Sequence, residues 1–583
     1  MKAVLDRVSR YAPNLLIQNL TASTLGVIFF AASVGFPKVD PRNISWLTFK
    51  DQRTHWIGWL FFAQDEWRWP PGHNPRYGWG DYTSIVFTDS WPLFSGFFKL
   101  INLRIIDNGQ FFGIALLISS ILLFTGCFHL LLQFRLPFAE AITGTILVGT
   151  MPLFWWMQRW YFAISGGMCL IVWSFYAYFS GRRRLDLRLA LWVLILLAAI
   201  GTNFYLFGII LVIFFAAGLQ QMRLSVSSLV RLFLSVLSVF GASAVMMYAS
   251  GYFSMPSEGL STGRYGVYTA NLLGLFDFNL ASRWVPDLDS GQFQYEPTSI
   301  GLGTVILLPV ILFMAVRKPL VLRKVSANLV KTHGWLVLAI LSMFLFSVSN
   351  FVYIGSYLYE IRIPVRLATL FSMFRSSVRF IWPLTVIVGV AVVVVISRSS
   401  RWSLVLILSA TGLQILDVVP QMREVATRPN GRVAPIEYER EFWEQVPRRY
   451  DTFVLHTPEN IRTGWDECSY AAFRTNRVAR CAYLSRAFGL DYQRLRGNFD
   501  LFSGRPDESS VYWLTYNFLG ADPARLIELY GNDDNAFVRP APNTVASKEF
   551  VYFFPACGKI DNCSFLGSRR VEVRDLFQQL GID

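Results

Sequence analysis

Asp51 and His55 stand four residues apart in FKDQRTHWIGWLFFAQDEWRWPPGHNPRYGWGDYTSIVFTDSWPLF. In a helix they share a face, and Trp59 continues it. A carboxylate beside an imidazole, enclosed by Trp and Phe, can serve as a general base with a tuned pKa. The surrounding rings can stack on sugar faces or anchor the segment at a membrane surface. The competing reading is an aromatic-rich amphipathic helix at a bilayer interface, with Asp51 and His55 as its polar side. Residue chemistry alone leaves both open.

Four further cysteines carry redox information. Cys468, Cys481, Cys557 and Cys563 lie in a polar C-terminal region. Their spacing does not suit a Cys₄ zinc site, and His456 is the only histidine nearby. Outside the cytosol they read as disulfides, and of the three pairings Cys468–Cys481 with Cys557–Cys563 is the most local. In the cytosol they would be free thiols. Cys127 and Cys169 fall within apolar runs and read as small packed residues.

The elements that must position these residues are membrane helices. Hydrophobic residues make up 53% of the chain, aromatics 16% and charged residues 16%. Leu15–Phe36, Phe111–Leu132, Leu189–Leu219 and Val378–Ile396 are apolar runs. A helix crosses about 30 Å of hydrocarbon in roughly 20 residues. Hydrocarbon offers backbone groups no partners, so such runs must be helical. The net charge of +14 is spread in short basic clusters between these runs. That pattern follows the positive-inside rule and suits anionic lipid or pyrophosphate groups, not nucleic acid.

With Lys2, Arg7 and Arg10 holding the N-terminus in the cytoplasm, Leu15–Phe36 reads as an uncleaved first span. Ten more are expected near 111–134, 138–156, 160–179, 188–202, 204–219, 229–250, 299–316, 334–352, 378–397 and 402–418. About eleven crossings put the basic clusters at Arg135, Arg182–Arg184, Arg223, Arg317–Lys331 and Arg398–Arg401 inside. Ser84–Leu103 is apolar but interrupted by Asp89, Pro92 and Lys99; it reads as an interfacial or re-entrant piece on the outer face.

The expected fold class is mainly α: a polytopic transmembrane helical bundle with a small C-terminal α/β or α+β extracytoplasmic domain. Residues 1–420 form the bundle, with a large first outer loop at 37–110, and residues 421–583 the soluble domain. In that domain Thr452–His456, Val511–Tyr516 and Phe550–Phe554 read as strands, and Arg477–Phe488 and Arg525–Tyr530 as helices. It holds no phosphate-cradling glycine motif and no nucleophile elbow. The long loops 37–110, 251–298 and 353–377 all fall on the outer face, which marks that face for chemistry.

The order HWIGWLFF, EWRWPPGHNPRYG, SIVFTDSWPLF resembles a family of bacterial multi-span proteins defined as a domain of unknown function. So do MQRWYFAISGGMCLIVWSFYAYF, GYFSMPSEGLSTGRYGVYTANLLGLFDFNLASRW, YEPTSIGLG and MFRSSVRFIWP, and the resemblance covers most of residues 40–420. That family is similar in architecture to the GT-C glycosyltransferases, which include aminoarabinose transferases, protein mannosyltransferases and oligosaccharyltransferases.

The resemblance implies an inverting glycosyltransferase of the bacterial inner membrane. Its sugar donor is linked to a polyprenyl phosphate, and its acceptor is an envelope glycan, a lipid or a protein on the periplasmic face. It implies an acidic residue after the first span as base or metal ligand. Here that is Asp51 with His55, and Asp40 and Asp89 stand in reserve. Gln52 follows Asp51, so the adjacent acidic doublet of several GT-C branches is missing there. The one such doublet in this loop, Asp65–Glu66, comes later, so participation of a divalent metal such as Mg or Mn stays open. Arg375 with Arg379, and Arg159 in a short outer turn, are the donor-phosphate candidates. Arg362 and Arg366 repeat the spacing; for each pair a headgroup anchor or an ion pair with Glu360 is the plain alternative. Trp59, Asp89, Tyr252, Tyr265, Tyr268 and Asp277 are candidates for the sugar or acceptor pocket, while Asp287 and Asp289 read as solvated. A lipid-linked glycan flippase and a non-catalytic envelope scaffold are the competing functions.

Overall fold

The computed structural model describes residues 14–48, 50–78, 83–102, 109–159, 162–180, 185–222, 225–254, 265–278, 280–288, 296, 298–317, 319–427, 436, 438–456, 464–481, 501, 506–532, 534–542, 550–558 and 564–580. The chain divides into two compact units. One holds residues 1–43, 110–248 and 261–428; the other holds 44–109, 249–260 and 429–583. The first loop thus folds with the C-terminal segment, where the sequence suggested a single boundary at residue 420.

The first unit is helical. Among the described residues eight helices are long and apolar enough to cross a membrane: Leu15–Ser33, Phe112–Gln133, Phe162–Phe179, Phe204–Gln221, Val226–Ser250, Val330–Val348, Ser377–Ser399 and Ser403–Thr427. Their length and apolar composition are those of membrane helices. Three of the eleven expected spans coincide instead with shorter apolar helices, Phe138–Gly149, Leu189–Ile200 and Leu302–Arg317.

Helices in lipid gain little from hydrophobic burial against each other and associate through close packing and polar contacts. Gly26 shows the first: a Cβ there would lie 2.7 Å from Ile121 Cα, so the first two long helices meet backbone to backbone. Gln414 shows the second, its Nε2 donating to Leu147 O at 2.6 Å and to Thr150 Oγ1 at 2.9 Å. A two-stranded hairpin, β1 (Phe351–Ile354) with β2 (Tyr357–Glu360), and the helix Val365–Phe371 occupy the third expected loop.

The second unit is built on a six-stranded mixed sheet. Its strands are β3 (Thr452–His456), β4 (Val478–Arg480), β5 (Ser510–Thr515), β6 (Ala536–Val538), β7 (Phe550–Phe554) and β8 (Arg570–Val571), in the order β4-β3-β5-β7-β6-β8. β3 runs parallel to β4 and β5; the remaining pairs are antiparallel. A parallel neighbour requires a crossover, and the helix Trp465–Arg474 supplies it between β3 and β4. All three expected strands are present. The expected helix Arg477–Phe488 is not, because Val478–Arg480 pairs with β3 instead; residues 482–488 lie outside the described set.

The helix Lys50–Gln64 packs on this sheet unit. Arg53 is ion-paired with Asp466, Trp56 lies 5.7 Å from Tyr470 ring to ring, and Phe61 lies 5.6 Å from Phe473. Ala479 N–H donates to Arg76 O at 2.8 Å and Gly78 N–H to Ala479 O at 2.9 Å, which covers the open edge of β4. Cys468 and Cys481 are disulfide-bonded across the same platform. Cys557 is disulfide-bonded as well, and Cys563 lies outside the described residues. Among the described residues of Ser84–Leu103 there are a 3₁₀ turn, Ile85–Thr88, and a nine-residue helix, Pro92–Leu100, too short to cross a bilayer.

Candidate functional site

Asp51 sits in the first turn of the Lys50–Gln64 helix and is half-buried. Free backbone N–H groups give that end of a helix a partial positive charge, which favours a carboxylate. Beyond Asp51 the expected face runs into the interior. His55 is 4% exposed, and its Nδ1 donates to Thr88 O at 2.8 Å, since a carbonyl only accepts. Ser90 Oγ donates to His55 O at 2.7 Å. Trp59 is 1% exposed, with its indole N–H on Gly109 O at 2.9 Å. His55, expected beside Asp51 in catalysis, therefore holds the turn before Asp89, and Trp59, expected in the sugar pocket, is packed in the core. The reason is that from Trp56 to Ala63 the helix is apolar on every side, and a helix apolar all round is buried.

The reserve carboxylates also have local roles. Asp89 adopts the left-handed conformation (φ 49°) at the end of the Ile85–Thr88 turn and is half-buried. Asp40 is exposed and accepts the Arg42 N–H at 2.9 Å. Burial opposes ionisation of Asp65. The Arg68 side chain, 3.0 Å away, and the Glu66 backbone outweigh it and hold the carboxyl below the usual range. Among the described residues no group of three or more His, Cys, Asp or Glu is arranged to hold a metal.

In the first unit the two candidate arginines part company. Arg375 lies between two 3₁₀ turns with its guanidinium 4.9 Å from the centre of the Tyr268 ring. Arg379 pairs with Glu296 at 2.8 Å and stacks 4.4 Å from the Tyr205 ring. Ser376 Oγ donates to the same carboxylate at 2.9 Å, and Ser376 N–H to Tyr205 OH at 2.8 Å. The expected two-arginine grip is thus not formed, and Glu296, not Glu360, is the carboxylate that neutralises Arg379. Glu360, Arg362 and Arg366 are exposed.

Tyr268 is buried beneath Arg375. Tyr265 donates to Phe346 O at 3.2 Å, and burial pushes its phenol up to about 12. Asp277 is buried and accepts the Leu288 N–H at 3.2 Å. Tyr252 is half-buried and Asp287 exposed. The Arg159 side chain and Asp289 lie outside the described residues. Asp51, His55, Trp59, Asp89 and Tyr252 belong to the second unit, and Arg375, Arg379, Tyr265 and Tyr268 to the first.

Sequence reasoning gave no role to Glu296, Glu140 or Asp417. Glu140 accepts from Ser397 and Ser403, the latter at 2.7 Å. Asp417 is fully buried, and one of its oxygens accepts Ser282 Oγ at 2.6 Å, Arg283 N–H at 2.9 Å and Trp284 N–H at 3.2 Å. For Glu140 and Asp417 the signal was available: an acid inside an apolar run is costly and needs named partners. Glu296 has no such context, because its partner lies 83 residues away.

No curated protein matches the chain at a significant level. The family model described as Domain of unknown function (DUF6311) matches residues 23–419, more than half of the sequence, and stops short of the C-terminal strands. The chain belongs to the DUF6311 family.

Proposed function

We propose that the protein is a GT-C-type membrane glycosyltransferase. It moves a sugar, with inversion, from a polyprenyl-phosphate donor to an envelope glycan, lipid or protein acceptor on the periplasmic face of a bacterial inner membrane. The observation that carries this reading is Asp51: a half-buried carboxylate on the first turn of a helix, in the first loop after the Leu15–Ser33 helix. Its role is to take the proton from the attacking acceptor hydroxyl. His55 is reassigned from partner base to a positioning residue that fixes the turn beneath the helix. Among the described residues no cluster of His, Cys, Asp or Glu is arranged around Asp51 to hold Mg or Mn, and no step is routed through a metal.

The periplasmic placement draws support from chain parity. Residues 44–109, 249–260 and 429–583 form one folded body and so share one side of the membrane. An even number of crossings then separates each from the next, as the expected six and four do; of the long helices four and three fall there, and counting the shorter Leu302–Arg317 makes the second number even.

The flippase reading draws on buried Glu140, Gln414 and Asp417 in the helices. General-base catalysis is worth roughly 10²–10⁴-fold. Purified protein in proteoliposomes, supplied with polyprenyl-phosphate sugars and envelope acceptors, should therefore lose transfer by about that factor in Asp51→Asn. An Asp51→Asn protein that folds and transfers at the wild-type rate would refute the assignment. Transbilayer movement of the lipid-linked sugar without transfer would favour the flippase.

A further inference from the structure

We propose that the second unit carries a bilayer-docking surface, seated at the boundary between headgroups and acyl chains of the membrane its own helices enter. In the Pro92–Leu100 helix Ser95, Phe98 and Lys99 are buried. The opposite side exposes Leu93 (44%), Phe97 (54%) and Leu100 (72%), with Ile101 (52%) just beyond. Positions 93, 97 and 100 follow the i, i+4, i+7 spacing of one helical stripe. The stripe is uncharged because Lys99 turns inward. Its Nζ lies 4.2 Å from the centre of the Phe62 ring and 4.6 Å from that of Trp67, and donates to Glu66 O at 3.2 Å.

In the preceding segment Trp67 is itself 50% exposed and Trp69 74% exposed. The next residues tie this surface to a membrane helix. Gly72 N–H donates to Ala249 O at 2.7 Å, and Ser84 Oγ to Gly251 O at 2.9 Å. Ala249 and Gly251 stand at the end of the apolar Val226–Ser250 helix, and Phe253, 64% exposed, follows. The segment that carries these exposed side chains is thus hydrogen-bonded to the residues that end a helix long enough to cross the bilayer, and lipid is the occupant this connection selects. Contiguous exposed apolar surface marks an interaction site. Amphipathic helices with large apolar rings settle at this depth, and tryptophan is enriched there. This inference does not depend on the transferase reading.

The test uses the full chain in lipid nanodiscs, with nitroxide labels at Phe97→Cys and Leu100→Cys and a control at Glu528→Cys on the Pro523–Tyr530 helix. Paramagnetic relaxation by oxygen and by a polar nickel chelate is compared at each site. Every 1.4 kcal/mol of transfer cost excludes the chelate about tenfold, so oxygen should be favoured at 97 and 100 by at least about tenfold over the control. Chelate access at 97 and 100 equal to the control overturns the proposal. Low access to both reagents overturns it too, because a protein surface would then be covering the stripe.

Discussion

Replacing Gly58 with alanine sets two forces against each other. In mid-helix alanine is favoured over glycine by about 1 kcal/mol through backbone entropy. Against this, a Cβ at Gly58 would meet both Cβ and Oγ1 of Thr88 at 2.4 Å. Thr88 cannot yield cheaply. It is buried and β-branched, its hydroxyl donates to Ile85 O at 3.0 Å and contacts Ser90 Oγ at 2.7 Å, and its carbonyl receives His55. Overpacking costs about 1–3 kcal/mol, and each buried hydrogen bond lost about 1 more. The net expectation is a local destabilisation of about 2–3 kcal/mol, or roughly 30- to 140-fold more frequent opening. Hydrogen-exchange mass spectrometry of the peptides covering 50–64 and 84–91 reads this directly. Exchange unchanged or slower in Gly58→Ala would mean that helix propensity wins and that the Thr88 clamp is not rigid. Adding Thr88→Gly removes the clashing atoms, so the double variant should cost less than the sum of the singles.

Replacing Cys468 and Cys481 with alanine opens a link across 13 residues and should cost the second unit about 3 kcal/mol on the chain-entropy account, seen as faster pulse proteolysis. Arg53→Met leaves Asp466 buried without its partner and should cost about 3 kcal/mol by the same assay. Arg53→Met with Asp466→Leu should recover most of the loss, and no recovery would deny that the pair matters as a pair. Burial pushes the Lys38 amine down to about 8, so between there and its ordinary 10.5 the unfolded chain binds more protons than the folded one. The stability of the first unit should therefore rise as pH climbs from about 8 to 10.5, and Lys38→Met should flatten that rise in thermal melts.

Local pattern carried much of the architecture. Runs of apolar residues named the long helices because hydrocarbon forces any chain within it to be helical. The strands Thr452–His456 and Phe550–Phe554 were legible from their own β-branched and aromatic content. Val478–Arg480 was not. Three residues carry too little periodicity, and only pairing with β3 makes them a strand. Asp51 was marked by type and position, yet the fates of His55 and Trp59 depended on Thr88 and Gly109, 33 and 50 residues on.

By itself, the sequence determined that this is a membrane-embedded helical protein with a polar C-terminal segment, since composition and run length decide where water is excluded. Tertiary structure alone decided that the first loop and that segment are one folded unit. The same holds for Arg379 answering Glu296 instead of standing free. Both are long-range pairings, in which the energy lies in contacts between residues that no local pattern links.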